Sequence, residues 1–116
     1  MSALTIYHNP RCSKSRQTLQ LINDAGKDVT IVEYLKTPLN KAQLAQLQQL
    51  LGVELRQMMR VKEAEYKEQG LQNASDEELL QAMVDTPKLM ERPIVVNGES
   101  TQAIIGRPPE NVQTLF

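Results

Sequence analysis

Residues 4–16 have the sequence Leu-Thr-Ile-Tyr-His-Asn-Pro-Arg-Cys-Ser-Lys-Ser-Arg, and they hold the only cysteine of the chain, Cys12. The apolar run at 4–7 predicts a buried strand. Apolar residues that recur between Leu19 and Ala25 predict a helix over about 13–25, which ends at Gly26. Cys12 is therefore predicted to lie in the turn between a strand and a helix.

This position indicates a reactive thiol. Unpaired backbone N–H groups and the positive end of the helix dipole meet at a helix start, and both stabilise a thiolate, the nucleophilic form of cysteine. Arg11, Lys14 and Arg16 add positive charge nearby. The alternative is a cysteine that serves as a small buried apolar residue. Residues such as Pro10 and Arg11 flank Cys12, so we do not expect it to lie in an apolar pocket.

Composition narrows the class of protein. The chain has 116 residues, which predicts one domain over residues 1–116 with a real core. A net charge of −1, 3% aromatic residues and no Trp argue against nucleic-acid binding. We find no run long enough to span a membrane and no signal peptide, which predicts a soluble, cytoplasmic protein without membrane partners. A single Cys excludes an internal disulfide and a Cys-based zinc cluster, and a single His argues the same way. We also expect no metal and no bound cofactor.

The middle of the chain predicts one more strand and then only helices. Residues 28–35 carry apolar side chains on both faces, which is typical of a strand covered on both sides. With the first strand and helix they form a βαβ unit, so the two strands should be parallel. A helical insertion over about 40–86 follows, with capping-box patterns at Asn40 and Ser75. Two shorter helices are predicted between these capped ones, at about 53–60 and 62–69, and the second of them is polar and expected to be solvated.

The last part of the chain completes the predicted sheet. Asn97-Gly98 indicates a hairpin between strands at 93–96 and 102–105, and Pro108-Pro109 suits the first turn of a last helix. The order β-α-β, helical insertion, β-β-α predicts an α/β protein of thioredoxin-like fold with a mixed four-stranded sheet. In such folds a cis-proline commonly precedes the third strand and faces the cysteine. Pro93 stands at that place, so we predict a cis Arg92–Pro93 bond.

Several polar residues are candidates for chemistry at the thiol. Cys12 and Ser15 form a Cys-x-x-Ser pattern, in which a hydroxyl stands where a dithiol enzyme has its second cysteine. An exposed, solvated side chain is the usual state of an arginine. Arg92 and Arg107, however, lie at the outer ends of the predicted hairpin, where strand pairing brings them together. Two guanidiniums beside a thiolate indicate a tetrahedral oxyanion substrate. His8 is either a neutral support for the turn or a hydrogen-bond partner of the thiolate.

These residues resemble a known family. Residues 8–16, His-Asn-Pro-Arg-Cys-Ser-Lys-Ser-Arg, resemble the signature of the glutaredoxin-coupled arsenate reductases. Residues 91–96 and Gly106-Arg107-Pro108 match the later signatures of that family, and the likeness covers nearly the whole chain. The resemblance implies a nucleophilic Cys12 that forms a covalent adduct with arsenate. It also implies oxyanion-binding arginines, which match Arg60, Arg92 and Arg107.

The resemblance also implies a reaction and its partners. Arsenate would be reduced to arsenite, in arsenic detoxification, with glutathione as co-substrate and glutaredoxin as the partner protein. His8 and Ser15 would be supporting residues. The chain offers no second cysteine, so an outside thiol must resolve the Cys12 adduct. The second hypothesis is a non-enzymatic thioredoxin-like regulator that binds a protein such as RNA polymerase. A related branch does so, usually with a Cys-x-x-Cys switch, and Ser15 argues against that switch.

Overall fold

The computed structural model of the chain describes residues 3–116. Within these residues four strands form one sheet. Along the chain, one α-helix lies between the first and second strands, and three more lie between the second and third strands. The elements in order are β1 (Leu4–Tyr7), α1 (Ser13–Asp24), β2 (Val29–Val32), α2 (Lys41–Leu51), α3 (Ala64–Glu68), α4 (Asp76–Asp85), β3 (Ile94–Val96) and β4 (Ala103–Ile105). Short 3₁₀ helices lie at Leu55–Met58, Leu71–Asn73, Pro87–Leu89 and Pro109–Leu115.

The chain divides into two compact units, one made of the residues up to Thr37 together with Arg92–Phe116, the other of Pro38–Glu91. The first unit holds the sheet, with strand order β2-β1-β3-β4. β1 pairs in parallel with β2, and the β1–β3 and β3–β4 pairs are antiparallel. The predicted βαβ unit and mixed four-stranded sheet are confirmed. The core of this unit consists of buried apolar side chains from both ends of the chain: Leu4, Ile6, Ile22, Val95 and Val112.

The second strand is shorter and more exposed than predicted. β2 spans Val29–Val32 instead of 28–35, because the amides of Lys36 and Thr37 both donate to the Glu33 carbonyl and turn the chain. The expectation that this strand is covered on both sides was wrong. β2 is an edge strand with β1 as its only neighbour in the described sheet, and the Ile31 side chain is 49% exposed.

One cis peptide bond precedes β3, and another follows β4. The Arg92–Pro93 bond is cis, which confirms the prediction for Pro93. The Arg107–Pro108 bond is also cis, and the sequence did not indicate it. The predicted last helix is a 3₁₀ helix at Pro109–Leu115, and it packs against α1. The predicted hairpin is confirmed, with β3 and β4 joined by a loop in which the Asn97 amide donates to the Gln102 carbonyl over 3.0 Å.

The second unit contains the helices of the predicted insertion. The capping boxes at Asn40 and Ser75 are both formed, so the predicted starts of α2 and α4 are confirmed. The helix predicted at about 53–60 is the 3₁₀ helix Leu55–Met58. The interpretation of residues 1–116 as one domain with an insertion stays a prediction.

The segment predicted as a solvated helix over 62–69 contains α3, but it has a buried side. Tyr66 is only 7% exposed, and its hydroxyl accepts a hydrogen bond from Arg56 Nε over 3.1 Å. The same guanidinium donates to the carbonyls of Leu71 and Ala74 over 3.0 and 2.9 Å. Arg56 therefore ties α3 to the chain that follows it. Across residues 3–116, no helix is both long and apolar enough to cross a bilayer.

Candidate active site at the Cys12 turn

The turn between β1 and α1 holds Cys12 at the start of a twelve-residue helix. The Cys12 amide donates to the Asn9 carbonyl over 3.0 Å, and the Arg11 amide donates to Asn9 Oδ1 over 3.0 Å. The Cys12 carbonyl accepts the first helical hydrogen bond, from the Arg16 amide. Cys12 has extended backbone geometry and is partly exposed. Its thiol therefore lies at the positive end of the α1 dipole and can meet a reactant.

Ser15 anchors this turn from inside the protein. Its side chain is fully buried, and its Oγ accepts a hydrogen bond from the Asn9 amide over 3.0 Å. The same oxygen lies 2.6 Å from His8 Nδ1, in a second hydrogen bond. Burial lowers the pKa of His8, and Arg16 lowers it further, against the opposing effect of Glu33. The contact with Ser15 and the lowered pKa both favour a neutral His8 that supports the turn, and this role stays a prediction.

The surroundings of Cys12 favour its thiolate. Burial is the largest single influence on the pKa of Cys12, and it raises that pKa. The Ser15 amide, the Arg92 guanidinium, the Lys14 amide and the Arg107 guanidinium all lower the pKa. Together they outweigh burial, so the pKa of the thiol lies below that of an ordinary cysteine. A larger thiolate fraction at neutral pH makes Cys12 a better nucleophile.

The structure brings Arg92 and Arg107 together beside Cys12. Ile94 pairs with Ile105, so both arginines lie two residues beyond the last paired position of the hairpin. Arg107 Nη1 lies 3.8 Å from Cys12 Sγ and donates to the Arg92 carbonyl over 3.2 Å. Guanidinium groups next to a thiolate can bind a tetrahedral oxyanion that the sulfur attacks. Their role toward such a substrate stays a prediction.

Gly106 allows a close approach next to Arg107 that did not follow from the sequence. The Gly106 amide donates to the Pro93 carbonyl over 2.9 Å. A Cβ atom at Gly106 would lie 2.5 Å from Thr18 Oγ1 and 2.8 Å from Pro93 Cγ. Thr18 is itself fully buried on α1, where its hydroxyl donates to the Lys14 carbonyl over 2.8 Å. Only a glycine fits between α1 and the cis-proline without displacement.

The Gly106→Ala variant is expected to lose about 1–3 kcal/mol of stability, because the new methyl group overlaps Thr18 and Pro93. Urea denaturation measures this loss. The Thr18→Ala/Gly106→Ala double variant is the matched control, since it removes the Thr18 atoms that the methyl group meets. Its loss should be smaller than the sum of the two single losses. Strict additivity of the three measurements would show that the contact with Thr18 is not the cause.

Arg60 lies in the unit formed by Pro38–Glu91, whereas Cys12, Arg92 and Arg107 belong to the unit that holds the sheet. Its guanidinium forms an ion pair with Glu63, which the sequence did not predict, and its amide donates to the Leu89 carbonyl over 2.7 Å. Lys88 Nζ lies 3.7 Å from Glu63 and 2.9 Å from Glu65. The role of Arg60 toward an oxyanion stays a prediction. Among residues 3–116 no group of three or more His, Cys, Asp or Glu side chains is placed to hold a metal ion.

The family model, the related sequences and the solved structures that match this chain point to the same family. A model of the ArsC family matches residues 7–115. The arsenate reductase of Neisseria meningitidis serogroup B is 44% identical over an alignment of 120 positions that covers 100% of both chains. The uncharacterized protein YfgD of Escherichia coli K12 is 56% identical over 111 residues, 92% of this chain and 91% of that protein. The solved structure of an arsenate reductase from Vibrio cholerae has a TM-score of 0.93 at 48% identity, covering 99% of this chain and 98% of that one.

Proposed function

This chain belongs to the ArsC family and has its thioredoxin-like fold, and on that premise we propose that it reduces arsenate to arsenite with Cys12 as the nucleophile. The observation that carries the proposal is the contact of Arg107 Nη1 with Cys12 Sγ at 3.8 Å, beside Arg92. It joins an activated thiol to cationic donors that suit an oxyanion. Relatives that align with the whole of this chain are named arsenate reductases.

The first half of the proposed reaction is substitution at arsenic. The Cys12 thiolate attacks arsenate, an S–As bond forms, and one arsenate oxygen leaves as water after taking up protons. Arg92 and Arg107 balance the negative charge of the oxyanion as the bond forms, and Arg60 is proposed to add a third guanidinium. Preorganised donors of this kind are worth more than the same groups in water. Arsenic is still pentavalent in the resulting Cys12 adduct.

The second half needs a thiol from outside the chain. The thiolate of glutathione attacks Cys12 Sγ, an S–S bond forms, and the S–As bond breaks. The electron pair of that bond stays on arsenic, which becomes trivalent and leaves as arsenite, while the two sulfurs together are oxidised by two electrons. Ser15 cannot replace the outside thiol, because it is a buried hydroxyl that binds His8 and the Asn9 amide.

Glutaredoxin is proposed to complete the cycle. The mixed disulfide between Cys12 and glutathione must be cleaved by thiol–disulfide exchange, and glutaredoxin supplies a low-pKa thiol for that step. No bound cofactor is needed, because arsenate and glutathione are both consumed as substrates. A reduced Cys12 thiol requires a reducing compartment, which supports a cytoplasmic location.

The test of this proposal is arsenite production by the purified protein with arsenate and glutathione, with glutaredoxin added in one arm. A second arm replaces both thiols with thioredoxin and its reductase. We expect sustained turnover in the glutaredoxin arm and little in the thioredoxin arm. Equal or faster turnover with thioredoxin alone would show that the reductant is wrong. Absence of arsenite in both arms would argue against the activity and favour the regulator hypothesis.

A further inference from the structure

A cleft of about 370 Å³ opens beside the turn that carries Cys12. Two segments line it: residues 8–11 of the turn, and Glu33, Leu35 and Lys36, which follow β2. This volume falls within the range of small-molecule sites, about 300–1,000 Å³. The reactions described above assign no group to the cleft.

The charges of the cleft are two positive and one negative. Arg11 and Lys36 are exposed cations, one from each of the two lining segments. Glu33 supplies one carboxylate, and its Oε1 lies 3.4 Å from Lys36 Nζ in an exposed pair that costs little to rearrange. The Leu35 side chain is 44% exposed and gives the cleft an apolar edge. These groups complement a small peptide that carries two carboxylates and one ammonium group.

Hydrogen bonds hold the lining segment 8–11 in place, and the same hydrogen bonds hold the turn at Cys12. Asn9 accepts hydrogen bonds from the amides of Arg11 and Cys12, and its own amide donates to buried Ser15. Arg16 Nη1 donates to the Pro10 carbonyl over 2.9 Å. A ligand bound against this segment therefore meets a preformed surface whose last residue, Arg11, adjoins Cys12.

We propose that this cleft binds the thiol peptide that attacks the Cys12 adduct, with Arg11 and Lys36 each receiving one of its carboxylates and Glu33 its ammonium group. The inference rests on the proposed function, because the attack on Cys12 Sγ is the second step described above. The cleft thus separates two binding tasks: Arg92 and Arg107 hold the oxyanion, while the residue 8–11 turn and the segment after β2 hold the reductant.

The kinetic test uses the Arg11→Ala/Lys36→Ala double variant. We expect its KM for glutathione to rise about tenfold, the effect of losing two charge-assisted contacts, while the KM for arsenate stays within twofold. The ratio of its rate with glutathione to its rate with 2-mercaptoethanol, a neutral thiol, should fall by a similar factor. Lys27→Ala is the matched control, since Lys27 is an exposed lysine that does not line this cleft. A wild-type KM for glutathione in the double variant would overturn the inference.

A binding test separates this inference from the proposed function. S-methylglutathione cannot react with Cys12, so its binding is measured without arsenate chemistry, by NMR titration of the backbone amides. We expect shifts centred on residues 8–11 and 33–36 in the wild type and in Lys27→Ala, and about tenfold weaker binding in the double variant. Binding with these shifts in a protein that fails to reduce arsenate would leave the cleft standing and reject the proposed function. Shifts elsewhere, or equal affinity in the double variant, would reject the cleft.

Discussion

Arsenate reduction by the Cys12→Ser variant is expected to fall by about four orders of magnitude or more, the scale of loss when a nucleophile is removed. A serine hydroxyl in the same place stays protonated at neutral pH, so the groups that favour the thiolate have nothing to stabilise. The variant should keep its fold, because Cys12 is only partly buried and its backbone hydrogen bonds do not involve the sulfur. Steady-state arsenite formation measures the activity, and the melting temperature measures the fold.

These two measurements distinguish a catalytic from a structural cysteine. We expect the melting temperature of Cys12→Ser to stay within a few degrees of the wild type, in line with about 1 kcal/mol of stability or less. A variant that loses its activity only because it unfolds would contradict the assignment. So would a folded Cys12→Ser that keeps a tenth of the wild-type turnover.

The second large effect is expected at Arg107. The Arg107→Ala variant should lose about 10²–10³-fold in kcat/KM for arsenate, as when one donor to a developing oxyanion is removed. The side chain is exposed, so stability should change little. Arg107→Lys is the matched variant: it keeps the positive charge but not the planar fork of donors, and we expect it to recover only part of kcat/KM.

The same variants test the electrostatics of the thiol. Arg107 lowers the pKa of Cys12, so its removal should move the midpoint of alkylation to higher pH, toward that of an ordinary thiol at about 8.5. Arg107→Lys should leave the midpoint nearer the wild-type value. Because the folded pKa is lowered, the thiolate adds stability above the unfolded-state pKa, and this stability is lost as pH falls through the folded pKa. An unchanged midpoint in Arg107→Ala would show that Arg107 does not act on the sulfur.

The parts of the fold that depend on residues close together in the sequence were predictable from it. β1 begins and ends as predicted, and α1 ends one residue earlier, because an apolar run and a helical period are local patterns. The capping boxes at Asn40 and Ser75 also form within four residues of the chain. Asn97-Gly98 predicted the hairpin, and the pairing of its strands places Arg92 and Arg107 next to each other, as expected.

The other features of the fold and the site depended on contacts between residues far apart in the sequence. Nothing in residues 28–35 says that this strand lies at the edge of the sheet, so the exposure of Ile31 was not foreseen. The fit of Gly106 against Thr18 spans 88 residues of chain, and only the position of the glycine before Arg107-Pro108 hinted at it. The ion pair of Arg60 with Glu63 could have been predicted from the sequence, since oppositely charged residues three apart are common ion-pair partners.

The most direct test of the account is mass spectrometry of the intact protein after incubation with arsenate and glutathione in the absence of glutaredoxin. The reaction should stop at the mixed disulfide, so the mass should rise by one glutathione per chain. Digestion of the same sample should locate that glutathione on the peptide that contains Cys12. The Cys12→Ser variant should carry none. Sustained arsenite formation with a non-thiol electron donor, without any adduct on Cys12 at any time, would contradict the account.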